Sequence, residues 1–347
     1  MDQRYELSPG YSISRVIKGG WQLAGGHGSF DKKQAIADML TFVDNGVTTF
    51  DCADIYTGVE AMIGEAIKEL SLRKHFDPDK HIQVHTKLVP DLDKLTSITH
   101  QDVEAIIDRS LKRLNLERLH LVQFYWWDLS IGNPLESLEI LKQLKRKGKI
   151  RHLGCTNWDQ LSMQPFAEHS FDMVSAQVQY SLLDQRPKGD FTQWCNQQSL
   201  SIFCYGVLAG GFLTDYWLGK KDPGFEFENR SLIKYRLIIE DFGGWNLFQQ
   251  LLQVLHDIGK EHAVALSAVA TRYMLDQPGV ASVIIGARTA LHINDTLSAF
   301  KFQLTDDNLV AIKSILINKQ GPNGAVYELE RDRNGPHGRI MKYNLNS

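Results

Sequence analysis

IQVHTKLV, residues 82–89, alternates with the two-residue period of an extended chain. Ile82, Val84 and Thr86 fall on one face, and Gln83, His85 and Lys87 on the other. The same division recurs further along. In LVQFYWW, Val122, Phe124 and Trp126 oppose Gln123 and Tyr125; in VSAQVQY, Val174, Ala176 and Val178 oppose Ser175, Gln177 and Gln179. An apolar face suits a layer of helices, which leaves the polar face to line an interior.

Other runs read as strands: VIKGGW, TTFDCAD, LHLVQFYWW, IRHLGCTNW, MVSAQVQY, LSIFCYG and VASVIIGA, which with IQVHTKLV make eight. Between them lie amphipathic stretches such as KKQAIADMLTFVDNG and DVEAIIDRSLKRLN, with apolar residues three and four apart. Strands alternating with helices imply parallel pairing through right-handed crossovers, and eight such units predict a closed (β/α)8 TIM barrel, an α/β fold. YELSPGYSISR at the start predicts an N-terminal β-hairpin around Pro9-Gly10. Two segments break the rhythm and read as irregular: a long loop after strand 7, Thr214 to Gly244, and the C-terminal tail. The expected organisation is one domain over 1–347, with the barrel at about 13–317 and a tail at 318–347 that folds over the mouth, docks on a second subunit or stays disordered.

The chain has 38 basic and 41 acidic side chains, so a formal charge of −3 gives no long-range attraction to nucleic acid or an anionic membrane. It has no basic and apolar leader and no run of about 18 apolar residues, which predicts a cytoplasmic protein. Cys52, Cys155, Cys195 and Cys204 lack ligand or CxxC spacing and read as reduced, buried thiols. His27, His75, His81 and His85 likewise lack the spacing of a metal site, and no metal is expected.

Asp51, Tyr56 and Lys87 fall at or just after the ends of successive strands, which a barrel brings to one mouth. An ammonium stabilises a nearby phenolate, and an aspartate holds the ammonium charged and in place. The trio is therefore a candidate acid/base for carbonyl reduction or alcohol oxidation; the plainer reading of Asp51 and Lys87 is a structural ion pair. The helix that follows, VEAMIGEAIKEL, carries Glu60 near its positive N-terminal end.

FDCADIYTGVEAMIGEAI, VHTKLVP, LGCTNW, AQVQYS, CYGVLAGGFL and VIIGAR, in this order, resemble the aldo-keto reductase family. The resemblance implies an NAD(P)H-dependent oxidoreductase acting on an aldehyde, ketone or sugar carbonyl, or the corresponding alcohol. Tyr56 would donate the proton, Lys87 would lower its pKa and Asp51 would hold Lys87. Thr156, Asn157 and Gln177 would hold the nicotinamide amide, with its ring stacked on Tyr205. Gly206, Leu208 and Gly210 would approach the pyrophosphate, and Gly20 and Gly286 would border the cofactor. Arg288 would meet a 2′-phosphate, which favours NADP(H) over NAD(H), while His292 and Asp295 would face the phosphate and the adenine. Trp21, Tyr125, Trp126 and Trp127 would wall the substrate.

Tyr125 departs from the family pattern, which has histidine in a run resembling VQFHWWD. A phenol can also donate one hydrogen bond, but it has no second nitrogen to anchor it. Three readings follow: Tyr125 replaces the histidine as donor; the barrel keeps its cofactor but performs other redox chemistry, or binds NADP(H) as a noncatalytic sensor or regulatory subunit; or Tyr125 is packing.

Overall fold

The computed structural model describes residues 2–25, 28–169 and 172–345. Strands β1 (Arg4–Ser8) and β2 (Tyr11–Ser14) pair antiparallel across Pro9-Gly10, where Gly10 takes a positive φ of 72°. The predicted hairpin is therefore present.

The eight predicted strands follow: β3 (Val16–Gly19), β4 (Thr49–Asp51), β5 (Gln83–Leu88), β6 (Leu119–Phe124), β7 (Ile150–Thr156), β8 (Met173–Gln179), β9 (Ser201–Tyr205) and β10 (Val280–Gly286). Each pairs in parallel with the next, and β10 pairs with β3, so the sheet closes. Register sets the polar residues side by side: Asp51 lies opposite His85, Lys87 opposite Gln123, and Thr156 opposite Gln177.

The interior is not polar throughout. Its lower layer is largely apolar, formed by Ile17, Leu121, Phe203, Ala281 and Ile284 with Leu7, Tyr11 and Ile13 of the hairpin, and the His85 ring packs on Phe203 and bonds Tyr11 within it. The hairpin thus plugs the N-terminal end of the barrel, where a solvated polar layer would cost free energy. Val84, Val122, Phe124, Ala176 and Val178 point outward into the larger core shared with the helices. Helix starts are fixed locally, as where Thr99 and Asp102 form a capping box before the helix His100–Leu114.

The segment 214–244 is not one loop. It contains the helix Arg230–Phe242, capped by Asn229, which buries Ile238, Ile239 and Phe242. Its charges and the Gly243-Gly244 pair obscured that periodicity, and buried Arg236 pairs with Asp222 at 2.6 Å and Glu240 at 2.9 Å.

The tail crosses the C-terminal mouth of the barrel. Glu330 pairs with Arg186 at 3.0 Å, and Arg331 donates to the Asp159 carboxylate at 2.6 Å and to the Asn157 carbonyl at 2.8 Å. Farther on, the Leu92 N–H donates to the Tyr343 carbonyl at 3.0 Å and the Leu345 N–H to Asp91 at 2.8 Å. The tail is fastened to the loops after β5, β7 and β8. No described helix is long and apolar enough to cross a membrane.

Candidate active site

Asp51 ends β4, and its carboxylate is the hub of the barrel's upper layer. Lys87 Nζ donates to Asp51 Oδ1 at 2.7 Å and Oδ2 at 2.8 Å, and to the Cys52 carbonyl at 2.8 Å. Gln177 Nε2 and Gln123 Nε2 donate to the same Oδ1 at 2.7 and 3.2 Å. Burial works against the Lys87 ammonium, but Asp51 and Tyr56 together outweigh it and the net shift is upward. A buried ion pair with this many hydrogen bonds is held in one geometry.

Tyr56 lies on the loop after β4, half-buried, its ring centroid 5.1 Å from Lys87 Nζ and 5.0 Å from the ring of Trp21. Burial pushes its phenol up to about 12, with Lys87 pulling the other way. The expected net lowering of Tyr56 is not what the site shows: desolvation exceeds the pull of Lys87, whose charge Asp51 partly neutralises.

A single cavity of about 1220 Å³ takes in Asp51, Tyr56, Lys87, Tyr125, Trp21, Thr156, Asn157, Gln177, Tyr205, Gly206, Leu208, Gly210, Gly286, Arg288, His292 and Asp295. That is more room than a drug-sized ligand requires, and suits a dinucleotide with a substrate at its end. Thr156 Oγ1 donates to Gln177 Oε1 at 3.2 Å, and the Tyr205 hydroxyl to Asn157 Oδ1 at 2.8 Å. Asn157 itself has φ 61°, so its backbone is held in a sparsely populated region beside the cavity.

Two expected residues do not line this cavity. Trp126 is buried on the helix side, against Phe124, and its Nε1 donates to the Ile131 carbonyl at 2.9 Å. Its parity along the strand matches Val122 and Phe124, so Trp127 reaches the cavity in its place. Gly20 serves packing: a Cβ there would come within 2.7 Å of Val59 and 2.9 Å of the Asp51 carbonyl. Its neighbour Gly19 borders the cavity.

In the Gly206–Gly211 turn, which lines the cavity, the glycines also answer a packing need. A Cβ on Gly206 or Gly210 would come within 2.7 Å of Tyr235, so both glycines admit that ring, whereas Gly211 faces open space. Glu60 is also structural: buried, it accepts from Thr86 Oγ1 at 2.7 Å and lies 3.3 Å from Arg113.

Several cavity residues carry no signal in the sequence. Lys234 lies on the helix Arg230–Phe242, with Nζ 5.2 Å from the Tyr205 ring centroid and 3.7 Å from Glu330. Tyr327, Ile340 and Met341 come from the tail. Gln22 Oε1 is buried without a hydrogen-bond partner among the described residues, beside Gly286 at the cofactor end of the cavity. An amide or ribose hydroxyl entering there would satisfy it, so the donor set fits a nicotinamide dinucleotide. Among the described residues no group of three His, Cys, Asp or Glu could hold a metal ion, and His27 lies outside them.

Residues 15–317 match the model of the aldo/keto reductase family, and the chain belongs to that family. This places it among oxidoreductases that use nicotinamide cofactors in carbonyl chemistry. It is 26% identical to the aldo-keto reductase YhdN of Bacillus subtilis (strain 168), covering 89% of this chain and 92% of that protein. It is 20% identical to the NADH-specific methylglyoxal reductase of Escherichia coli (strain K12), covering 88% of this chain and 95% of that one. The fold also matches the glycerol dehydrogenase AKR11B4 from Gluconobacter oxydans, with a TM-score of 0.74, 24% identity, and coverage of 91% of this chain and 95% of that chain.

Proposed function

We propose that the chain is an NAD(P)H-dependent reductase of aldehydes, ketones or sugar carbonyls, or a dehydrogenase of the matching alcohols, with Tyr56 as the proton donor. The observation that carries this reading is the buried Asp51–Lys87 pair, bidentate at 2.7 and 2.8 Å, set against the Tyr56 ring. A nicotinamide bound in the cavity would supply or accept the hydride. A phenol held at about 12 stays protonated at neutral pH, as a donor must. As its proton leaves toward the carbonyl oxygen, the Lys87 ammonium stabilises the phenolate that forms.

Thr156, Asn157 and Gln177 would hold the carboxamide, Tyr205 would carry the ring, and Gly206, Leu208, Gly210 and Gly286 would border the cofactor. Arg288 favours NADP(H), because a guanidinium matches a 2′-phosphate. NAD(H) stays open as well, in view of the relative whose name says NADH-specific. Ile55, Val89, Trp127, Tyr327 and Met341 wall the substrate end, which suits an apolar or aromatic carbonyl compound.

The test is a turnover screen of aldehydes, aldoses and diketones with NADPH and NADH. Tyr56→Phe is expected to abolish turnover, and Tyr125→Phe to lower it by about 10- to 100-fold, the worth of one hydrogen bond in a desolvated site. Equal turnover in wild type and Tyr56→Phe would overturn the reading. One observation favours a second reading, a noncatalytic NADP(H) sensor: the tail is fastened across the mouth, which would slow exchange of a nucleotide bound beneath it. Tight cofactor binding, seen as tryptophan quenching, with no turnover on any carbonyl would select that alternative.

A further inference from the structure

Between Asp51 and Tyr56 the chain leaves the sheet, and the way it leaves decides where the phenol sits. Parallel pairing runs on past the end of β4: the Cys52 N–H donates to the His85 carbonyl at 2.8 Å, and the Asp54 N–H to the Lys87 carbonyl at 3.4 Å. One more step of such a ladder would carry the Val89 N–H to the Asp54 carbonyl. It goes instead to the Asp54 side chain, meeting Oδ1 at 3.2 Å. The carboxylate stands in for the carbonyl, so the backbone can turn away at Asp54 while staying tied to the chain that leaves β5.

The carbonyl released from the ladder is taken up elsewhere. Arg113, on the helix His100–Leu114, donates from Nη1 to it at 3.1 Å and to Glu60 Oε2 at 3.3 Å. Glu60 Oε1 in turn accepts from Thr86 Oγ1 at 2.7 Å. Between the two ties the Tyr56 N–H closes a turn onto the Ala53 carbonyl, and the Val59 N–H onto the Tyr56 carbonyl, both at 3.0 Å. The segment 54–60, with Tyr56 inside it, is thus held at both ends. Both ties finish beside Lys87, one on Val89 and the other on Thr86.

Asp54 is kept at a cost to the fold. It is 4% exposed, its Oδ2 has no hydrogen-bond partner among the described residues, and burial followed by the neighbouring Glu60 pushes its carboxyl well above the ordinary value. A buried oxygen without a partner lowers stability, which leaves the acceptor for Val89 as what this side chain supplies. None of the roles that the family resemblance implies falls on Asp54. It does not border the cavity either, so any effect on the reaction passes through Tyr56 and Lys87.

We propose that Asp54 is the positioning residue of the proton donor: its carboxylate, bonded to the Val89 N–H, fixes the turn that sets the Tyr56 ring 5.1 Å from Lys87 Nζ. This rests on the reductase reading and deepens it. Proton transfer is steep in geometry, and a displacement of about 1 Å lowers the rate on the order of 100-fold. A tie two residues from the phenol is close enough to set that distance.

The experiment compares wild type with Asp54→Asn, Asp54→Ala and Asp54→Leu, with kcat, KM, cofactor affinity by tryptophan quenching, and Tm for each. Asparagine keeps an oxygen for the Val89 N–H and drops the charge. Alanine and leucine both remove the acceptor, and leucine does so without opening a cavity. Asp54→Ala and Asp54→Leu are expected to lower kcat by about 10- to 100-fold with cofactor affinity within about 2-fold of wild type. Asp54→Asn should stay within about 3-fold of wild type in kcat, with a Tm no lower, because the bond survives and a buried charge is gone. Wild-type kcat in Asp54→Leu, or as large a loss in Asp54→Asn as in Asp54→Ala, overturns the proposal.

A second readout does not use turnover. With fluorotyrosine placed at position 56, the fluorine resonance should shift in Asp54→Leu and return to its wild-type place in Asp54→Asn; a resonance that Asp54→Leu does not move also overturns the proposal. Should Tyr56→Phe prove as active as wild type, the reductase reading falls, while a resonance moved by leucine and restored by asparagine would still support the hold of Asp54 on Tyr56.

Discussion

At Asp51 one carboxylate accepts from three side chains, Lys87, Gln123 and Gln177, drawn from three different strands. Its removal has two separable consequences. Asp51→Asn keeps the shape and part of the hydrogen bonding, but leaves the Lys87 ammonium buried without a counter-charge. Breaking a buried pair in this way costs about 3–5 kcal/mol, so a clear fall in Tm is expected. The uncompensated ammonium then sheds its proton more readily and loses its hold on the Tyr56 phenolate, so kcat falls as well, by about 100-fold. Calorimetry and steady-state kinetics on the same preparation check both; an Asp51→Asn protein with wild-type Tm would show the pair is not a structural constraint. The pH profile carries a second prediction. Because Tyr56 loses its proton only near 12, carbonyl reduction should show no loss from this group between about pH 7 and about pH 10. A fall in kcat/KM with an apparent pKa near 8 would contradict Tyr56 as the donor in its present environment.

The strands and the meeting of Asp51, Tyr56 and Lys87 were legible because each rests on a short-range rule: a period of two for the faces, and a strand end for the placement of the three at one mouth. That same rule, followed one residue further, puts Trp126 outward and Trp127 inward, so the error at Trp126 came from reading chemistry before parity. The helix Arg230–Phe242 was hidden because buried Arg236 occupies a core position with its charge met by Asp222 and Glu240, a pairing that sequence spacing does not disclose. The hairpin plug was foreseen as an element but not as a floor. Beneath the site it places Tyr11 against His85 Nε2 at 3.1 Å, with the His152 ring tilted against that of Tyr11 at 4.7 Å. Burial, reinforced by His120, Lys87 and His152, pushes His85 well below its ordinary value; burial, then Arg151, pushes His152 down from 6.5 to about 4. Between those two values the unfolded chain binds protons that the folded barrel refuses. The stability these rings contribute is therefore complete above 6.5 and is lost as pH falls toward about 4. Tm should drop over that window, and His85→Gln should flatten the slope; a slope identical to wild type would remove His85 as a source.

For the molecule as a whole, the barrel supplies the chemistry and the tail supplies the roof, and one buried cluster joins them. Glu330 of the tail meets Arg186 after β8 at 3.0 Å and Lys234 of the helix Arg230–Phe242 at 3.7 Å. Asp184 shares Arg186 at 2.7 Å. Burial alone would raise the Glu330 carboxyl, but Lys234 and Arg186 overcome it and hold it down at about 2. The latch is thus fully charged above 4.5 and is released only as pH falls toward about 2, so at neutral pH it is not a pH switch. It is a mechanical tie, and the way to open it is to remove the charge. Glu330→Gln leaves Lys234 and Arg186 under-compensated beneath the roof, and the strained backbone at Tyr327 loses what holds it. The local opening free energy of the tail should fall by about 1.5–3 kcal/mol, raising the open population roughly 10- to 100-fold. Trypsin reports this directly, since Arg331, Arg333, Arg339 and Lys342 all lie in the tail. Faster tail cleavage in Glu330→Gln, with the barrel intact and saturating cofactor restoring protection, is the expected result. If the variant is cut no faster than wild type, the roof is held by its other ties, Arg331 to Asp159 and Leu345 to Asp91, and the cluster serves only to orient Lys234 beside Tyr205.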